Sequence, residues 1–103
     1  MSVTKYRYQN ELVYHVEYGI INTPQYEWHC NDAEIDDFHD AWDVFEAVNL
    51  LERYSIFRRA YPEAKTAIAV KCLFVEQFVD GISIAFSMVA RRDFDYEDWI
   101  NDL

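Results

Sequence analysis

Apolar and aromatic residues alternate with polar ones at period two through the first thirty residues. Tyr6 and Tyr8 alternate with Lys5 and Arg7. Tyr14, Val16 and Tyr18 alternate with Val13, His15 and Glu17, and Tyr26, Trp28 and Cys30 with Glu27 and His29. Such a period predicts half-buried strands, with one face mostly aromatic and the other mostly charged. Gln9-Asn10-Glu11 supplies a turn and Gly19 to Pro24 a looser connection. Across the polar face, Lys5 and Arg7 would pair with Glu17 or Glu27.

The period changes after Asn31. That residue suits an N-cap for a helix from Asp32, with Glu34 at the third position and further acids in the first turn, where they complement the helix dipole. At about 100° per residue, Phe38, Trp42 and Phe45 share one face and Asp36, Asp40 and Asp43 lie almost opposite. Leu50, Leu51 and Tyr54 then project from the acids' azimuth, while Asn49 and Arg53 take the aromatic side, so the helix bends or breaks near Asn49 or its second half is packed from another direction; one long element with a change of packing partner is favoured. Pro62 ends it and can open the next helix. Ala64 to Val79 is apolar on almost every side, which predicts a buried helix. The rival is a long strand that turns at Asp80-Gly81, a hairpin dipeptide. Ile82, Ile84, Phe86 and Met88 alternate with Ser83, Ala85 and Ser87, giving a strand over Ile82 to Val89. Asp93 to Leu103 predicts a short acidic helix carrying Trp99 and Ile100. The fold expected is α+β, a single domain over 1–103: an N-terminal antiparallel β-meander packed against two or three helices, with a further strand near 82–89.

Charge adds a second pattern. Of nineteen acids, twelve lie in two stretches without Lys or Arg: Asp32, Glu34, Asp36, Asp37, Asp40, Asp43 and Glu46, then Asp93, Asp95, Glu97, Asp98 and Asp102. Elsewhere seven acids face all nine bases, so the net charge of -10 is a property of patches. Concentrated like charge opposes compaction and suits a surface that meets something positive. It disfavours direct contact with nucleic acid or an anionic membrane. The 51% hydrophobic content of these 103 residues argues against disorder, and the load of seven Phe, eight Tyr and three Trp suits a tight core or a binding face. Two cysteines and no secretory segment point to a reducing compartment, and the uncharged run Gly81 to Ala90 is far short of a membrane span. A cytoplasmic protein is expected, in the host cell if phage-encoded.

Other chemistry is poorly supported. Asp32, Glu34, Asp36, Asp40 and Asp43 occupy the acidic positions of an EF-hand loop, but Asp37 stands where that loop needs glycine and no helix precedes it. His29, Cys30 and His39 lack the paired spacing of a zinc site, and Cys30, on the aromatic strand face, reads as a small core residue. Lys5-Tyr6-Arg7-Tyr8 resembles a base-stacking platform, yet its aromatics and bases point to opposite faces. No nucleophile elbow, phosphate loop or dinucleotide fingerprint is present. A non-catalytic protein without a cofactor or metal is expected.

The stripe Asp36, Asp40, Asp43 rises about 6 Å per four residues, close to the spacing of phosphates along a nucleic-acid strand. Carboxylates at that pitch can enter a groove of Lys and Arg that normally holds a nucleic-acid backbone. The leading expectation is therefore a small inhibitor that occludes a basic nucleic-acid-binding protein or complex. Its partner-binding residues would be Asp36, Asp37, Asp40, Asp43, Glu46, Asp95, Glu97 and Asp98. The plainer reading of the stripe is a solvated helix face. In size and composition the chain resembles phage-encoded antirestriction and anti-CRISPR proteins and the acidic immunity proteins that cap nuclease toxins. That resemblance implies a CRISPR effector, restriction enzyme or toxin as partner, and it carries no motif and no residue. The alternative is a structural or adaptor subunit assembling through the apolar Ile68 to Met88 region, a surface that would also allow a homodimer.

Overall fold

The computed structural model describes residues 10–31 and 34–102. Four antiparallel strands, β1 (Asn10–Ile21), β2 (Glu27–Cys30), β3 (Ile68–Val79) and β4 (Ile82–Phe94), form one sheet in the order β2-β1-β3-β4. Helices α1 (Phe38–Ala47) and α2 (Leu50–Ala60) connect β2 to β3, and α3 (Tyr96–Asn101) follows β4. The fold is α+β. Lys5, Tyr6, Arg7 and Tyr8, with the strand and ion pairs expected of them, lie outside the described residues, as does Asp32. Asn10 and Glu11, expected in a turn, are strand residues paired with Val79 and Phe78.

The segment 64–79 contains a strand and not a helix. β3 lies between β1 and β4 and is paired along its length with both; from Ala69 to Leu73 its residues are buried on both faces, so no alternation survives there. Asp80 and Gly81 take positive φ, 54° and 79°, as a tight hairpin turn requires. Pro62 opens no helix; residues 61–67 form turns and loop. β4 runs past Val89 to Phe94, with register shifts where Ile84 and Val89 are left without a partner on β3.

Opposed residues of neighbouring strands share a face. Tyr14, Val16, Tyr18 and Ile20 of β1, with Ala69, Lys71 and Leu73 of β3, lie under the helices. Val16 and Leu73 pack with Ala41 and Phe45, and Ile20 and Ala69 with Tyr54, Phe57 and Ala67. The aromatic sets expected to share one face are divided: Trp28 and Cys30 oppose Gly19 and Glu17, so they lie on the other side of the sheet from Tyr14 and Tyr18. There Trp28 donates to Glu17 (2.8 Å) and covers Gly19, where a Cβ would strike the Glu27 carbonyl oxygen and come within 2.7 Å of the indole. Only glycine fits that crossing.

The helices cover only half the sheet. Beyond Val16 and Leu73, β1, β3 and β4 continue as a three-stranded arm, and the molecule measures 61 × 25 × 17 Å. On the arm's uncovered face His15 and Glu76 pair at 2.9 Å, and Phe86 stacks on His15 and Phe74. Hydrogen bonds from Ser83 and then His15 hold the Glu76 carboxyl below its ordinary pKa.

Candidate partner-binding surface

Helix α1 begins at Phe38 with Asp37 as its N-cap, not at Asp32 with Asn31. The cause lies at the sheet edge. β2 is too short to pair with the outer half of β1, so Asn31 N–H donates to Val16 O (2.9 Å) and Tyr14 N–H to Ile35 O (2.8 Å). Asn31 and Ile35 are thereby held against β1 before the chain winds into α1. Glu34 and Asp36 are exposed but outside the helix, and the expected three-residue stripe is a two-residue one, Asp40 and Asp43, extended by Asp36.

The eight acids proposed for partner binding are all exposed, yet they are not equivalent. Asp37 accepts from Asp40 N–H (3.0 Å). Asp95 and Asp98 form a reciprocal capping box on α3, with bonds of 2.9 and 3.0 Å. Glu46 faces Arg92 at 3.6 Å. The side chains of Asp36, Asp40, Asp43 and Glu97 make no hydrogen bond or ion pair with another described residue. Helix α1 packs on β1 and β3 whereas α3 packs on α2, so the two acidic stretches form separate patches.

Two of the chain's nine bases are withdrawn from the surface, which periodicity did not reveal. Lys71, 6% exposed, projects from β3 under α1 and donates to Phe45 O (2.8 Å) and Val48 O (3.1 Å). Helix α1 has no basic residue in its own last turn, and this ammonium caps its carbonyl end. Burial pushes the Lys71 pKa down. Asn49 then accepts from Glu52 N–H (3.0 Å) and caps α2, so the chain breaks there into two helices in place of the one long element favoured from the sequence. Arg58, also 6% exposed, donates to Tyr61 O and lies over Tyr96 and Trp99. Trp99 in turn donates to Ser55 (2.9 Å) and fixes α3 against α2. Burial inside this cluster pushes the Tyr54 hydroxyl above its ordinary pKa.

A cleft of 520 Å³ opens beside the break between α1 and α2, with Val16, Tyr18, Cys30, Asn49 and Arg53 among its walls. Arg53 lies 4.1 Å over the Tyr18 ring. His29 stacks on Tyr18 while its neighbour Cys30 is on the opposite face of β2, so the two do not converge. Among the described residues no three His, Cys, Asp or Glu side chains are placed to hold a metal ion. No described helix is long and apolar enough to cross a membrane.

Cys30 is exposed, contrary to its expected place in the core, because its strand face is uncovered there. Cys72 is buried and its thiol pKa is raised by that burial. A water-soluble alkylating reagent should therefore modify the exposed Cys30 well before the buried Cys72, which reacts only as fast as the chain opens, measured by mass spectrometry over time. Equal rates would contradict the packing of β3.

The arm carries part of the apolar Ile68 to Met88 region that the alternative, adaptor expectation rests on. The alternation of Ile82, Ile84, Phe86 and Met88 predicts a strand with an apolar face, and in the structure these residues remain 65, 57, 54 and 51% exposed. No protein-family model, curated protein or solved structure matches the chain.

Proposed function

We propose that this chain is a non-catalytic inhibitor that occupies a basic, nucleic-acid-binding surface on another protein or complex. The observation that carries the reading is the face of α1. Asp40 and Asp43 point away from the buried Ala41 and Phe45, and Asp36 precedes them, with no base among them and no described ion pair to neutralise them. Carboxylates so placed can accept charge-assisted hydrogen bonds from Lys and Arg that otherwise hold phosphates. Burial of Lys71 and Arg58 favours the same reading, because it takes two positive charges out of the surface that a partner meets. The C-terminal acids contribute mainly to steering, since Asp95 and Asp98 are engaged in capping.

The test is retention from a host lysate on the immobilised chain at low salt, with elution by a salt gradient. Enrichment of a nuclease or other nucleic-acid-binding complex that elutes at moderate ionic strength is the expected result. Retention of no such protein, or retention indifferent to salt, would overturn the reading. The second reading, an adaptor that assembles through apolar surface, is favoured by the exposed β4 side chains alone and predicts salt-indifferent assembly.

A further inference from the structure

We infer that the outer edge of β4 pairs with β4 of a second copy, antiparallel about a two-fold axis at Phe86. Among the described residues β4 is an outer strand of the sheet and pairs only with β3. Exposed edges are normally blunted by charge, proline or brevity. Apart from its two register shifts, β4 has none of these: Ile82 to Ala90 is long, contains neither proline nor charge, and keeps Ile82, Ile84, Phe86, Met88 and Val89 more than 40% exposed. Those nine residues offer about 30 Å of strand edge for pairing.

Charge selects a second copy as the occupant. With Phe86 opposite its own symmetry mate, Ile84 faces Met88, Ile82 faces Ala90, and Asp80 at the hairpin turn faces Arg92 near the strand's end. Each arm thus sets an acid against a base at both ends of an otherwise neutral, apolar contact. Arg92 is 53% exposed and its only described ion pair is the 3.6 Å approach to Glu46, so its guanidinium has donors to spare. The antiparallel arrangement also answers the repulsion between two chains of net charge -10. It separates the two Ala90 positions, where the helix-covered bodies begin, by about 27 Å, whereas the Debye length is about 8 Å at physiological ionic strength. The product is one continuous eight-stranded sheet with an acidic helical body at each end. The pairing centres on Ile82 to Ala90, touches α1 only through Arg92, which also faces Glu46, and stands whether or not the inhibitory reading does.

Sedimentation velocity over about 1 to 100 μM should give a species of twice the 12.3 kDa chain mass, increasing with concentration. Ile84→Lys with Met88→Lys should return it to monomer with unchanged circular dichroism, because both side chains are exposed. In a Cys30→Ser background, Phe86→Cys should form a disulfide-linked dimer on mild oxidation, whereas Ile82→Cys, which faces Ala90, should not. A monomer throughout the range would overturn the inference. So would a dimer that survives the double lysine variant, or cross-linking of Phe86→Cys no faster than that of Ile82→Cys.

Discussion

Lys71→Ala should destabilise the fold by about 3 kcal/mol, a large part of the stability of a domain this size. The ammonium donates to Phe45 O and Val48 O at the end of α1 and lies 4.6 Å from the centre of the Phe45 ring. Its removal leaves buried carbonyls without a donor and a gap beneath Phe45, which is itself fully buried. Lys71→Met, which keeps the apolar stem, should recover only the packing share of the loss. The pH dependence has a definite sign. Burial holds the folded-state pKa of Lys71 below the ordinary lysine value of 10.5, so between those two values the unfolded chain binds more protons than the folded one. Stability due to Lys71 therefore rises with pH through that window. Urea unfolding at a series of pH values checks this: the gap between wild type and Lys71→Met should widen from neutral pH toward 10.5. A gap that is constant or narrows would mean that the ammonium is not desolvated.

Neutralising Asp36, Asp40 and Asp43 together to Asn should weaken binding to the basic partner by about 10³-fold at low salt, taking roughly 1.4 kcal/mol for each desolvated charge pair lost. The fold should be retained. All three side chains are exposed, Asp37 remains as the N-cap, and loss of the Asp40 charge from the first turn costs less than about 1 kcal/mol. Glu97→Gln should change affinity little, because α3 lies apart from α1. Titration calorimetry of both variants against the retained partner measures the difference. Equal loss from the two would mean that the acids act through net charge alone.

Much of the fold was legible in the sequence because local chemistry and tertiary demand agreed there. The strand alternation at Tyr14, Val16 and Tyr18, the Asp80-Gly81 turn and the acidic C-terminal helix each follow from short-range preferences, whereas at Asn49 the change of helix face was visible and the break itself was not. Where the two diverged, the sequence misled. Residues 64–79 read as a buried helix because the strand inside them is buried on both faces from Ala69 to Leu73 and loses its period there. Asn31 read as a cap because nothing local reveals that its amide is claimed by Val16 O on β1, so that the chain's path there is set by a hydrogen bond across the sheet edge and not by propensity.

The candidate site was legible in part. Its charge was visible, and so was the azimuth of Asp40 and Asp43 relative to Phe45. The division of labour among the acids was not, since capping by Asp37, Asp95 and Asp98 depends on where helices start. Nor did the sequence reveal that Lys71 and Arg58 face inward, because a lysine in an apolar run is recognised as a helix cap only once the helix lies above it.

The central claim is occupation of a nucleic-acid groove. Its most direct test is to titrate the chain into the retained partner carrying a labelled nucleic acid and to follow release of the label. Displacement that saturates at a fixed stoichiometry and weakens with rising salt is the predicted result. A ternary complex in which the chain binds and the label stays in place would contradict it.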